Sequence, residues 1–447
     1  STDGFASSDP DFFPERITLT NEETQDSGQY RSANLRIGYD ISDMLRLESE
    51  TTFIDRDFQF RGDIGGAADD GFLGDDNPGQ SFEQELRLFY TNDRVDAVVG
   101  GFFADIRNEG NRFGTFPSSA FLPGLPDFTV TGLSESETDI TNFAFFGEVE
   151  VELLDDLRLI AGGRYDRETQ DVRTVNTTVL SNPIFAPLLP PDTTEETSTT
   201  FDAFLPKAGI VYDFTKDLSL GFTYQRGYRS GGANFNFLIA EQNDFDPEFT
   251  NNYELALRSQ WLDGRLTANA NAFYIDWTNQ QVQVFGPSGN PLDVRTENAG
   301  ESHLFGGELE LSATPLDGLD LYASIGYVET EFDDFVSGGV QLAGNEFRNA
   351  PKWTGSVGGT YFFENGLYLG ADATYTSGSF GDAENTPEFR ADSRFLLDLR
   401  AGYETENFNV FAYVNNVFDN TYAEERFAQS VTIGDPLTFG LVAQLAF

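Results

Sequence analysis

Between Leu367 and Tyr375 every second residue is apolar or aromatic: Leu367, Leu369, Ala371, Ala373 and Tyr375 alternate with Tyr368, Gly370, Asp372 and Thr374. Side chains of a strand point to its two faces in turn, so this period predicts a strand with one apolar face. The next segment repeats it, with Phe395, Leu397, Leu399, Ala401 and Tyr403 on one face and Arg394, Asp398 and Arg400 on the other. Similar sets recur along the chain, among them Leu35/Ile37/Tyr39, Phe143/Phe145/Val149/Val151, Leu218/Leu220/Phe222/Tyr224, Tyr253/Leu255/Leu257/Trp261 and Leu319/Leu321/Ala323/Ile325/Tyr327. Many end on an aromatic ring, a side chain suited to a boundary between an apolar and a wet layer.

Two kinds of connection alternate between these strands. Short turns rich in Asp, Asn and Gly lie at 41–44, 91–94, 153–156, 214–217, 262–264, 315–318, 364–366 and 404–407, as hairpins require. Long polar segments lie at 57–80, 107–138, 170–199, 230–249, 284–301, 332–348, 377–392 and 419–436. A soluble sandwich has no reason to gather its tight turns at one end. A transmembrane antiparallel β-barrel does, because its short turns face the periplasm and its long loops face outside. A propeller would show a repeat of fixed length, and the strands here share no motif. The expected fold is therefore all-β, one membrane barrel.

Composition agrees once only alternate residues meet lipid. Phe numbers 44, Tyr 17 and Gly 44, a diet suited to strands and turns. There is no cysteine and one histidine, His303, which excludes disulfides and thiolate zinc sites and leaves little room for histidine catalysis. Charge runs to −47, with 74 acidic residues against 27 basic, and this repels nucleic acid. No apolar run approaches the roughly 20 residues of a membrane helix, and no signal peptide opens the sequence. No cofactor or resident metal is called for.

Several stretches then resemble one family, the TonB-dependent receptors, in family order: YQRGYRSGGANFN at 224–236, PEFTNNYELALRSQWLDGRLTANANAFYIDWTNQQV at 247–282, GGELELSATPLDGLDLYASIGY at 306–327, NAPKWTGSVGGTYFF at 349–363 and VNNVFDNTYAEERF at 414–427. The most specific is Asn416-Val417-Phe418-Asp419-Asn420-Thr421-Tyr422. The resemblance implies an active transporter of the Gram-negative outer membrane: a barrel of twenty-two strands, an N-terminal plug, and a TonB-box peptide. Eight tight turns and a closing strand make about seventeen strands here, with no plug or TonB box legible. The expectation is that 1–447 is a partial barrel domain lacking the plug and first strands. The final strand, TFGLVAQLAF, ends on Phe447, which resembles the signal read by the barrel assembly machinery.

Candidate functional residues follow from the alternation. Arg158, Arg164, Asp166, Glu254, Arg258, Glu308, Glu310, Asp398 and Arg400 fall opposite the lipid-facing set and are expected to line the lumen, contacting plug and solute or bridging one another. At the outer rim, Arg226, Tyr228, Arg229, Asn234 and Phe235 are the candidates for binding solute, the arginines meeting an anion or pairing with carboxylates. Phe113, Phe116, Phe121, Phe237, Phe245 and Phe249 are loop aromatics able to stack on a ligand or on each other. The pairs Asp69/Asp70, Asp75/Asp76 and Asp333/Asp334 lack calcium-loop spacing and read as solvated loop acids. His303 reads as a surface or lumen residue. The negative field disfavours an anionic solute; equally, it suits a salty habitat.

The expected function is capture of a scarce solute, of siderophore, cobalamin, haem or oligosaccharide class, at the outer loops for import energised through TonB, with no catalytic residue. The alternative is a passive porin or a plugless structural barrel; a barrel-embedded hydrolase is disfavoured by the single histidine. Expected partners are outer-membrane lipid, TonB through the plug, the assembly machinery and a small solute.

Overall fold

A computed structural model describes residues 25–63, 72–117, 129–181, 184, 192–236, 241–286, 294–427 and 430–445. The strands are β1 (Gln25–Ser42), β2 (Leu45–Asp63), β3 (Phe72–Thr91), β4 (Val95–Pro117), β5 (Thr129–Leu154), β6 (Leu157–Leu180), β7 (Thr193–Thr215), β8 (Leu218–Arg229), β9 (Gly232–Asn236), β10 (Glu241–Phe245), β11 (Glu248–Trp261), β12 (Leu266–Phe285), β13 (Val294–Leu316), β14 (Leu319–Asp334), β15 (Val336–Ser337), β16 (Val340–Gln341), β17 (Trp353–Phe362), β18 (Leu367–Thr376), β19 (Arg394–Glu404), β20 (Phe408–Asn415), β21 (Ala423–Phe427), β22 (Ser430–Ile433) and β23 (Thr438–Leu445). Seventeen of them form one antiparallel sheet in which each wall strand pairs with the next, β8 passing directly to β11, β14 to β17 and β20 to β23. The remaining six make three small hairpins, β9–β10, β15–β16 and β21–β22, inside the long connections.

The expected alternation of short and long connections holds throughout. All eight tight turns fall where the Asp/Asn/Gly clusters stand, and several need a left-handed backbone: Gly264, Gly318 and Gly366 have φ of +82°, +82° and +88°, a region open to glycine at little cost.

Burial is inverted relative to a water-soluble domain. On the apolar parity Leu369 is 55% exposed, Ile325 48% and Leu441 73%, whereas on the polar parity Glu48 and Asp166 are 8% and 7% exposed. Apolar side chains cover the outside and charged ones are sheltered within the curve of the sheet, which is the arrangement a lipid solvent demands.

The first three long segments were expected as loops, and the wall strands run deep into them. β4 continues to Pro117 and β5 begins at Thr129, paired without a break from Val95↔Val151 to Pro117↔Thr129. With 26 residues, β5 is roughly 85 to 90 Å long, far beyond the ~10 residues that cross a bilayer. Outside the membrane both faces of a strand meet water, so hydrophobic alternation disappears while the ladder continues. Cross-strand pairs such as Arg107 with Glu137, and with Asp139 at 3.4 Å, reinforce it. Asp75 and Asp76, expected in a loop, lie in β3 and pair with Arg112 and Arg61 at 2.8 and 2.7 Å. Asp333 lies near the end of β14, while Asp69 and Asp70 fall outside the described residues.

Candidate functional site

At the outer end of the lumen three connections interlock. The segments after β14, β18 and β20 are tied by paired amides: Glu346 N donates to Asn385 Oδ1 at 2.7 Å and Asn385 Nδ2 returns to Glu346 O at 2.8 Å. Asn345 Nδ2 donates to Ala383 O at 2.9 Å. Asp392 N donates to Ala423 O at 3.1 Å, and Ala423 N to Asp392 Oδ2 at 2.9 Å. Beneath them Phe332, Phe335, Leu342, Phe347 and Ala383 form a hydrophobic cluster with Val282, Val284 and Ala299 of the wall. Val282 and Val284 continue the lipid-facing parity of β12. Their burial marks a change of facing at Asn279, whose φ of +55° interrupts the regular strand.

Beside this cluster is a cleft of about 570 Å³, within the range of sites for drug-sized ligands. Its wall is Trp277, Leu304, Val328, Thr330 and Phe332; Trp277 shares the parity of Asn269 and Asn271, and Leu304 that of Glu308 and Glu310. The cleft therefore belongs to the lumen side. Loop residues Phe347, Arg348 and Ala350 border it, with Arg229, Phe245, Gln281 and Gln283 on the remaining margin. Trp277 meets Phe347 edge to face at 6.1 Å. Arg229 Nε lies 2.9 Å from Oε1 of the buried Glu248, whose other oxygen accepts Gln281 N at 2.6 Å. Arg348 lies 3.6 Å from Glu425 and donates to Gln283 Oε1 at 3.3 Å.

Of the three rim candidates whose side chains are described, Arg229 alone borders the cleft. Arg226 and Tyr228 lie on the parity of Phe222 and Tyr224 and do not line the cleft; both are half-buried, Arg226 4.4 Å above the Phe249 ring and Tyr228 packed on the same ring at 5.3 Å. Asn234 and Phe235 belong to β9, and their side chains lie outside the described residues. The ladder between β7 and β8 ends at Lys207↔Gln225, next to Pro206, which has no N–H to offer. From there Arg226 to Arg229 pair only with β11.

Among the expected lumen residues, Arg158 bridges Glu150 at 3.0 Å and Asp213 at 3.3 Å. Arg164 pairs with Asp166 and lies 5.4 Å from the Phe102 ring. Arg258 donates to Asn271 at 2.7 Å, Arg400 to Thr360 at 2.8 Å, and Asp398 accepts Asn416 N at 2.8 Å. Glu254, Glu308 and Glu310 have no ion-pair partner among the described residues. Sequence reading missed a denser network near the β1–β2 turn, where Arg36, Arg46 and Arg87 share Glu48, Glu50, Glu85 and Asp40. The wall thus carries mutual ion pairs on one side and open carboxylates on another.

The model of the family TonB dependent receptor-like, beta-barrel, matches residues 2–417. The chain belongs to the TonB-dependent receptor β-barrel family. It is 30% identical over 287 residues to the metal-pseudopaline receptor CntO of Pseudomonas aeruginosa, covering 62% of this chain and 37% of that receptor. It is 27% identical over 237 residues to the probable TonB-dependent siderophore receptor PiuA of Acinetobacter baumannii, covering 50% and 31%. In fold it resembles the ferric yersiniabactin uptake receptor FyuA from Yersinia pestis, with a TM-score of 0.80 at 19% identity over 99% of this chain and 65% of that one. The chain thus spans well under half of these curated relatives and about two thirds of that structure.

Within this receptor barrel the motif Asn416 to Tyr422 ends β20. Asn416 and Asp419 adopt φ of +48° and +50°. Asn416 Nδ2 donates to Asn420 O and Asp435 O at 2.9 and 3.0 Å, and Asp419 Oδ1 accepts Leu437 N at 2.9 Å. Asn and Asp tolerate this backbone and satisfy the turn themselves, which accounts for the motif without invoking a ligand. His303 lies on the outward parity between Tyr274 and Phe305, its Nδ1 2.9 Å from Asp333. Phe113 packs with Phe72 beneath Arg61. The side chain of Phe116, and Phe121, Phe237 and Phe447, lie outside the described residues.

Glu384, in the interlocked loops, has a buried oxygen without a hydrogen-bond partner among the described residues. Burial pushes its carboxyl pKa up, and Asp382 and Glu297 add to the rise. The folded form then holds a proton that the unfolded chain, near pKa ~4.3, has already lost. Stability is therefore fully present at low pH and falls as pH rises through the raised value. Glu384→Gln is expected to protect residues 377–393 from hydrogen exchange relative to the parent at pH 7. That difference should vanish near pH 4, and a difference independent of pH would contradict the assignment.

Proposed function

We propose that this barrel is the wall and outer rim of an outer-membrane transporter that captures a scarce solute and releases it inward when TonB acts. The observation that carries the reading is the inverted burial of a family barrel, apolar outward and charged inward, with a cleft at the outer end of its lumen. The names of the curated relatives, receptors for metal-pseudopaline and siderophores, favour a chelated metal as cargo over cobalamin, haem or oligosaccharide. Binding and gated release suffice; no residue is assigned to bond making or breaking.

The location proposed is the outer membrane of a Gram-negative bacterium, with lipid around the apolar face and the assembly machinery reading the final strand to Phe447. Residues 1–447 act as the barrel domain, and contact with TonB runs through a plug corresponding to the relatives' remaining length. Uptake of a ferric chelate by cells carrying the full-length receptor should stop when an uncoupler collapses the proton gradient. The full-length protein should leave a planar bilayer nearly non-conducting. Uptake that survives the uncoupler, with steady conductance, would favour the passive porin instead.

A further inference from the structure

Each of the eight tight turns carries at least one exposed carboxylate, from Asp43 in the first to Glu406 in the last. Arg94 and Lys216 are the basic residues within those turns, and each is taken up by an acid of the same rim, Asp155 at 4.0 Å and Asp217 at 3.5 Å. Asp43, Asp93, Asp263, Glu364 and Glu406 have no ion-pair partner among the described residues. A tight turn accepts Asn as readily as Asp, so turn geometry does not require this ring of charge. We propose that the rim of short turns is a docking surface for lipid headgroups that bear a primary ammonium, of the phosphatidylethanolamine kind, in the leaflet on that side of the membrane.

This inference rests on the membrane placement proposed above and goes beyond it in naming the headgroup. Depth favours a lipid over a protein partner. Trp261 and Phe363, on the outward parity and 50% and 40% exposed, stand two residues and one residue before Asp263 and Glu364. Tyr212, on the same face, donates its hydroxyl proton to Asp156. Such rings mark the boundary of the hydrocarbon. At about 3.3 Å per residue the turn carboxylates then fall in the interfacial layer, roughly 5 to 7 Å thick on each side. The charge also runs through every turn, as a bilayer surrounds a barrel, whereas a protein partner needs a patch on one side. Anionic headgroups attract Lys and Arg, so a rim of carboxylates repels them and attracts an ammonium. A primary ammonium has three N–H donors for charge-assisted bonds to carboxylates; a quaternary choline has none.

The test is electron spin resonance of the full-length receptor in phosphatidylcholine vesicles, with spin-labelled lipids of one chain type and three headgroups: phosphoethanolamine, phosphocholine and phosphoglycerol. The immobilised fraction of each label reads its association with the protein. The ethanolamine lipid is expected to associate about threefold more tightly than the choline lipid, a magnitude usual for exposed ion pairs, and the anionic glycerol lipid most weakly. In 1 M salt the three should converge, because the screening length is then about 3 Å. The combined variant Asp43→Asn, Asp263→Asn, Asp317→Asn and Glu364→Gln should lose most of the preference at low salt. Glu135→Gln, in the part of β5 beyond the bilayer, should keep it. The salt series on the unaltered protein tests the same point should the combined variant fail to insert. Equal association of the three lipids at low salt, or preference for the anionic one, would overturn the proposal; an oligolysine peptide that then bound the parent and not the variant would assign the rim to a basic protein instead. Neither result bears on energised uptake, and loss of energised uptake leaves the lipid preference standing. Failure to enter any vesicle would sink both readings.

Discussion

Phe332→Ala is expected to remove about 3 to 5 kcal/mol from the outer loop unit while leaving the barrel wall intact. Phe332 is 1% exposed and packs on Phe335 and Phe347 with ring centroids 5.1 and 4.8 Å apart. Its backbone closes the same unit, Phe332 N donating to Asn345 O at 3.0 Å and Gly344 N to Phe332 O at 2.8 Å. Removing the ring opens a cavity where three connections meet, and those connections lack the long ladders that hold the wall strands. Hydrogen exchange should accelerate across 335–352 and 377–393, with the amides of β17 to β19 unchanged. Phe363→Ala, at a ring already 40% exposed, should do little to these loops. Equal acceleration in loops and wall would show that the two are one cooperative unit and sink the prediction.

Ala323→Arg and Ser324→Arg place the same charge on adjacent residues of β14, and their effects are expected to differ sharply. Ala323 shares the outward parity of Leu321 and Ile325, which are 42% and 48% exposed. An arginine there enters hydrocarbon near mid-strand, at a cost of about 2 to 4 kcal/mol. Ser324 faces the lumen, where its hydroxyl lies 2.7 Å from that of Ser356. An arginine at that position reaches water and nearby carboxylates, so only about 1 kcal/mol from the lost hydrogen bond is at stake. Denaturant titration of the barrel folded into lipid vesicles distinguishes them. Equal losses would mean that β14 is not facing as described.

Both predictions depend on facing, and facing was legible in the sequence wherever lipid enforces it. In the run from Leu367 to Tyr375 hydrocarbon solvates one face, so the period of two survives as a written pattern. Above the bilayer the pattern disappears, and with it the cue that β4 and β5 continue to Pro117↔Thr129. The cleft shows the same limit. Trp277 and Arg348 could be read as polar-face and loop residues, but nothing local indicated that the loop after β14 folds back onto β12. Arg226 and Tyr228 adjoin Arg229 in sequence, yet a strand turns neighbours to opposite faces, and only Arg229 reaches the cleft.

The amino-acid order by itself determined an all-β chain, its hairpin turns, its lipid-facing residues and its family, because each of these is written in local chemistry: a period, a turn residue, a motif. Tertiary structure alone decided which arginines meet which carboxylates across strands, how three outer connections lock over one hydrophobic cluster, and that two guanidiniums border a cleft with aromatic walls. Those outcomes depend on register and on contacts between segments far apart in the chain, such as Arg348 with Gln283 and Arg229 with Glu248. A pattern of neighbouring residues carries no record of such distances.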